Sequence, residues 1–183
     1  RYFLVREMAV GQDASFTELA MVQRLNSDLA NDVGNGLSRV LKLATNLGSR
    51  LAFPAPLSSA PGEGAEEKAL RDLAEATISG VLDKVKALKL SFAVEDVLQL
   101  VRAVNRYLEV KAPWKLAKLG EEGKASLNSV LYHSAEALRI GITLLRPVMP
   151  TKMEEALAAL GLAPVGSSDA AVSPLEWGVL GRD

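Results

Sequence analysis

The residues whose types and spacing could do chemistry gather in two stretches. One is Asn105-Arg-Tyr-Leu-Glu-Val-Lys-Ala-Pro-Trp-Lys-Leu-Ala-Lys118. Pro113 lacks the N–H that a helix interior needs but suits a first helical position, so a short new helix is expected to open there and the chain to turn. Trp114 stands at that corner among Lys111, Lys115 and Lys118. An indole in such surroundings could stack on an unpaired nucleic-acid base, with the lysines as phosphate contacts. Large aromatics at corners more often pin the turn by packing into the core, which would leave the lysines in solvent. The other stretch carries Asn31, Asn35 and Arg39 at intervals of four, which places them on one helical face, with Gly34 and Gly36 lowering the bulk around them. Amide and guanidinium groups together could read the hydrogen-bonding edge of a splayed base such as a cytosine. Polar residues at this spacing also form ordinary solvated faces.

Signatures of catalysis are missing. The chain has no P-loop, no GxGxxG after a strand, no HExxH and no GxSxG. Its single histidine, His133, follows Tyr132 in an apolar helical pattern and reads as a packed residue rather than a base. The carboxylate pairs Glu66-Glu67, Glu121-Glu122 and Glu154-Glu155 fall near expected helix starts, where acidic groups are favoured by roughly 0.3 to 1 kcal/mol without any catalytic role. With no cysteine and one histidine, neither a disulfide framework nor a zinc cluster is expected. Lys and Arg number 21 against 22 Asp and Glu, so any anion binding must be local.

Helices must position these groups. At 183 residues, 49% apolar and 23% charged, the chain suits one soluble domain with a sizeable core. No apolar run approaches the roughly 18 residues of a membrane span. Residues 1–10 look like the last turns of a helix, with Phe3 and Leu4 on one side, ended by Gly11-Gln-Asp13. Thr17 is an expected N-cap for a long helix through Met21, Leu25, Val33, Val40 and Leu47, in which Gly34 and Gly36 imply a bend or a close approach to the backbone. Arg50 to Gly64, rich in proline and glycine, reads as a loop. Leu70, Leu73, Thr77, Val81, Val85 and Leu88 form the next core stripe, and Ser91 is expected to cap a helix whose stripe is Val94, Val97, Leu98, Val101, Val104 and Leu108. The helix of Leu127, Leu131, Ala135, Leu138, Ile142 and Leu145 is the most apolar and reads as central. A last helix from about Thr151 stops at Gly161. No strand is expected, so the fold class is all-α, a bundle of about five main helices.

Taken in order, Arg1-Tyr-Phe-Leu-Val-Arg-Glu7, Asn26-Ser-Asp-Leu-Ala-Asn-Asp-Val-Gly-Asn35, Asn105-Arg-Tyr107, Ala112-Pro-Trp-Lys-Leu-Ala-Lys118, Val130-Leu-Tyr132 and Leu144-Leu-Arg-Pro-Val-Met-Pro150 resemble the C-terminal half of methionyl-tRNA synthetases, class I aminoacyl-tRNA synthetases. The resemblance spans nearly the whole chain. It implies a helical anticodon-binding domain in which Trp114, oriented by Pro113, stacks on the first anticodon base. Asn35 and Arg39 are then expected to hydrogen-bond the anticodon, and Asn105 and Tyr107 to be mainly structural. The parent would attach methionine to tRNA using ATP. The ATP and methionine sites would lie in a catalytic half upstream of Arg1, so no cofactor, metal or catalytic residue is assigned here and the chain by itself should be inactive.

Three parts are therefore expected: residues 1–10 as the end of a connector helix, 11–161 as the helical domain and 162–183 as an extended tail whose Trp177 could fold back on the bundle. The family pattern is followed to Trp177-Gly-Val-Leu180, and the closing Gly-Arg-Asp departs from it. Expected partners are the methionine tRNA anticodon loop and the catalytic domain of the same polypeptide, with no DNA and no membrane, in the cytoplasm. The competing readings are a helical protein-interaction module presenting an apolar groove, and a small metal-free enzyme for which no acid, base or nucleophile set is visible.

Overall fold

The fold follows from two helices buried on most sides. The computed structural model describes residues 1–46, 64–162, 175–178 and 180. In α7 (Glu121–Leu145) every residue from Ser129 to Ile142 is buried, so a helix apolar around most of its circumference is central because all its faces are covered. α5 (Leu90–Lys111) packs against it through Val94, Val97, Leu98, Val101, Val104 and Leu108, the stripe expected from the sequence. α4 (Ala65–Lys86) lies alongside both. α1 (Tyr2–Glu7) rests on α5, and α8 (Pro150–Ala159) folds back on α7. Among the described residues there is no strand, and the chain is an all-α bundle as expected.

Several local expectations are corrected. In α4 the buried side is Leu70, Ala74, Thr77 and Val81, whereas Leu73 and Val85 are exposed, and Leu88 lies exposed in the turn after the helix; the stripe turns toward α5 and α7 rather than running on to the helix end. Ser91 does not cap α5, which opens after Lys89 with no side-chain cap. Glu154 and Glu155 lie beyond the first turn of α8, where they pair with Arg146 and Lys152 rather than with the helix start. Leu4 is exposed while Tyr2 and Phe3 are buried. The loop expected over Arg50 to Gly64 and the tail between 163 and 174 lie outside the described residues.

The expected long helix after Thr17 exists in three registers. Thr17 does cap it, its side-chain oxygen accepting from Ala20 N at 3.1 Å. α2 (Glu18–Arg24) passes into a π-helical stretch, Leu25–Gly34, and then into α3 (Asn35–Asn46). A π turn closes i→i+5 bonds and is wider than an α turn. Asn31 therefore sits in a different winding from Asn35 and Arg39, and the spacing of four does not stack all three as it would in one α-helix. Gly36 is explained by approach rather than by a bend: a Cβ there would stand 3.4 Å from both Asn105 Oδ1 and Leu138 Cδ2.

Candidate nucleic-acid interface

Pro113 ends α5 by its effect on the residue before it. The ring excludes Ala112 from right-handed helix, and Ala112 takes the left-handed conformation, φ 44° and ψ 58°. Its N–H still closes on Leu108 O at 3.0 Å, and its carbonyl accepts from Lys115 N at 2.7 Å, so Ala112 itself keeps both its backbone bonds at the corner. Pro113 is buried as first residue of α6 (Pro113–Leu116), and Leu116 packs against the core. Trp114, on the other side of this one-turn helix, is 44% exposed. The indole is therefore not a core residue.

Facing this corner is α3. Arg39, Lys42, Leu43, Leu108, Pro113 and Trp114 line one groove of about 260 Å³. Its floor and walls are apolar, and its cations come from α3. Segments distant in the sequence thus converge, because α3 and α5 both pack on α7 and the α5–α6 corner brings Trp114 round to α3. Arg39 Nη1 lies 3.4 Å from Glu109 Oε1 in the last turn of α5, both side chains reaching solvent. Asn35 is exposed one α-helical turn before Arg39 but does not line the groove. Asn31 is exposed in the π stretch.

The three lysines of the motif differ in surroundings. Lys111 Nζ sits 2.7 Å from Glu66 Oε2, 2.8 Å from Glu67 Oε1 and 5.7 Å from the centre of the Tyr107 ring. Burial would lower its pKa, but hydrogen bonds to Glu66 and Glu67 outweigh that and raise it. A charge already answered by two carboxylates is poorly available to a phosphate. Lys115 and Lys118 are exposed and have no carboxylate within ion-pair distance among the described residues. Glu67, expected only to favour a helix start, is buried and accepts from Tyr107 Oη at 2.7 Å. Burial pushes its carboxyl up, and the bonds from Lys111 and Tyr107 more than reverse this, holding it at about 2. Tyr107 is raised by burial and by its bond to that carboxylate. Asn105 donates from Nδ2 to Asp32 O at 3.0 Å, tying α5 to the end of the π stretch. Both Asn105 and Tyr107 are thus held within the scaffold that carries the groove.

Lys42, Leu43 and Glu109 complete the site and were not singled out from the sequence, and Leu108 was read there only as part of the α5 core stripe. Lys42 and Leu43 follow Arg39 by three and four, a spacing that would have found them had the face been extended C-terminally. Nothing in the sequence pairs Leu108 or Glu109 with α3.

Comparison with known proteins gives one answer. Residues 1–41 match the family model described as tRNA synthetases class I (M). The chain is 39% identical over 166 residues to the methionine–tRNA ligase of Deinococcus radiodurans, covering 91% of this chain and 24% of that protein. It is 38% identical over 178 residues to the methionine–tRNA ligase of Mycobacterium tuberculosis, covering 94% of this chain and 32% of the relative. The crystal structure of the apo, free-state Mycobacterium tuberculosis methionyl-tRNA synthetase superposes with a TM-score of 0.84 at 35% identity, over 98% of this chain and 36% of that one. The same enzyme bound by methionyl-adenylate gives the same TM-score. The chain spans about a quarter to a third of the length of these relatives. With sequence and fold agreeing over nearly all its residues, this chain is a homologue of methionyl-tRNA synthetases, corresponding to a helical part of them.

Proposed function

We propose that the chain is the anticodon-binding domain of a methionine–tRNA ligase. In this reading Trp114, oriented by the buried Pro113, stacks on the first anticodon base, and Asn35 and Arg39 hydrogen-bond the anticodon. The observation that carries it is the convergence of Arg39 and a half-exposed Trp114 on one groove, apolar enough for a base and open to solvent. ATP, methionine and the ligase reaction belong to the part of the relatives that this chain does not span.

The test is a titration of the chain with two RNA hairpins that differ only in the anticodon. Preference for the methionine anticodon is expected, and Trp114→Ala should cost about 1 to 3 kcal/mol of that binding with circular dichroism unchanged. Equal affinity for both hairpins would overturn the reading.

A second contact surface accompanies this one. At the opposite end of α5, an apolar groove of about 280 Å³ is lined by Val5, Val81, Val94, Val97, Leu145 and Val148 among others, with Leu82, Leu88 and Phe92 also exposed on α4, the α4–α5 turn and α5. Such a surface suits protein rather than RNA. In a ligase it would face the catalytic domain of the same polypeptide, leaving the Trp114 groove free for tRNA.

A further inference from the structure

Resting on the anticodon reading, we infer that Lys42 takes the backbone phosphate of the loop nucleotide whose base stacks on Trp114. Lys42 lines the groove with Arg39 and Trp114 and is exposed. It follows Arg39 by three residues in α3, so the two cations rise from adjacent turns on neighbouring parts of one face.

What separates them is what each already holds. Arg39 stands beside Glu109, and Lys111 is tied to Glu66 and Glu67. Lys42 has no carboxylate within ion-pair distance among the described residues. At the groove rim the charges of Arg39 and Glu109 cancel, and Leu43, Leu108 and Pro113 contribute none. The net positive charge facing an incoming nucleotide is therefore that of Lys42. Without it, Glu109 offsets the attraction that Arg39 exerts on a phosphate.

Size and chemistry agree with this division. About 260 Å³ is below the roughly 300 to 1,000 Å³ of sites for larger ligands, so the groove suits one base, with its phosphate kept at the wet rim. There a lysine supplies a mobile point charge that can follow a phosphate. The planar guanidinium of Arg39, oriented by Glu109, suits the directed hydrogen bonds of a base edge. Lys115 and Lys118 do not line the groove and would meet neighbouring phosphates at most.

The test is the salt dependence of binding, measured by fluorescence anisotropy with the methionine-anticodon hairpin and a hairpin altered only in the anticodon. Lys42→Ala should weaken binding to both hairpins by the same factor and flatten the slope of log K against log salt by about 0.7 to 1. Lys42→Arg should restore the slope, and Lys111→Ala should leave it unchanged. A wild-type chain that discriminates between the hairpins while Lys42→Ala keeps the wild-type slope overturns the assignment of Lys42 alone. A wild-type chain that does not discriminate overturns the anticodon reading and this assignment together.

Discussion

At the scale of single residues, the groove's neighbours are held by buried charge. Glu67 joins Tyr107 of α5 and Lys111 at its end to the start of α4, just beneath the corner that carries Trp114. Its carboxyl is depressed from 4.5 to about 2 in the fold, so its contribution to stability is fully present above pH 4.5 and is lost as pH falls toward 2. Glu67→Gln is therefore expected to lower stability at neutral pH by about 2 kcal/mol, a figure kept below the full shift because the cluster reaches solvent at Glu66. In urea unfolding the gap between variant and wild type should close as the pH approaches 2. A gap of constant size across that range would mean that packing, not ionisation, is what Glu67 contributes.

Elements meet most tightly where α6 touches the first turn of α7. Gly123 is buried, and a Cβ there would stand 2.2 Å from the carbonyl oxygen of Leu116 and 3.0 Å from Leu119 Cβ. Helix propensity alone favours alanine over glycine by about 1 kcal/mol. Backbone cannot yield as a side chain can, so Gly123→Ala should instead destabilise by about 1 to 3 kcal/mol and shift the α6 turn. Thermal unfolding, with Trp114 fluorescence reporting the corner, checks both; a stabilised variant would mean that the junction is looser than this. The π stretch is the other element-level device. Its buried Asp28 accepts from Tyr2 Oη at 2.8 Å and Ser27 Oγ at 3.0 Å, and Arg102 Nε donates to Asp32 at 2.7 Å. Those bonds fix the winding from which Asn35 and Arg39 emerge.

On the scale of the whole molecule, the segment around Trp177 is fastened to the central helix. Glu136 and Arg139 form a buried pair at 2.8 Å, and Arg139 also donates to Glu176 O. Gly178 N–H donates back to Glu136, and Leu180 is buried. Trp177 lies 6.1 Å from His133, ring centre to ring centre, so it does fold back as the sequence allowed. Removing one member of such a pair leaves the other buried without the opposite charge of its helix neighbour. Arg139→Met should cost about 3 to 5 kcal/mol and expose Trp177 to quencher, while Glu136→Leu with Arg139→Met should cost markedly less. Equal losses in the single and double variants would show that the pair is not the fastening.

Much of this was legible in the residues themselves. The α5 stripe, the central α7 and the turn at Ala112-Pro113 follow from periodicity and from the geometry of proline, which act over a few residues. Spacing also put Asn35 and Arg39 on one helical face and Trp114 at the corner that Pro113 opens. Whether the indole faced the core or water was not legible, because that depends on what packs beside it, and Leu116 rather than Trp114 meets the core. The π winding, the pairing of Lys111 with Glu66 and Glu67, and the meeting of Lys42 with Trp114 also required the tertiary structure. Spacing along a chain specifies which groups share a helix face; only the packing of α3, α5 and α6 around α7 decides which faces meet and which charges are already answered.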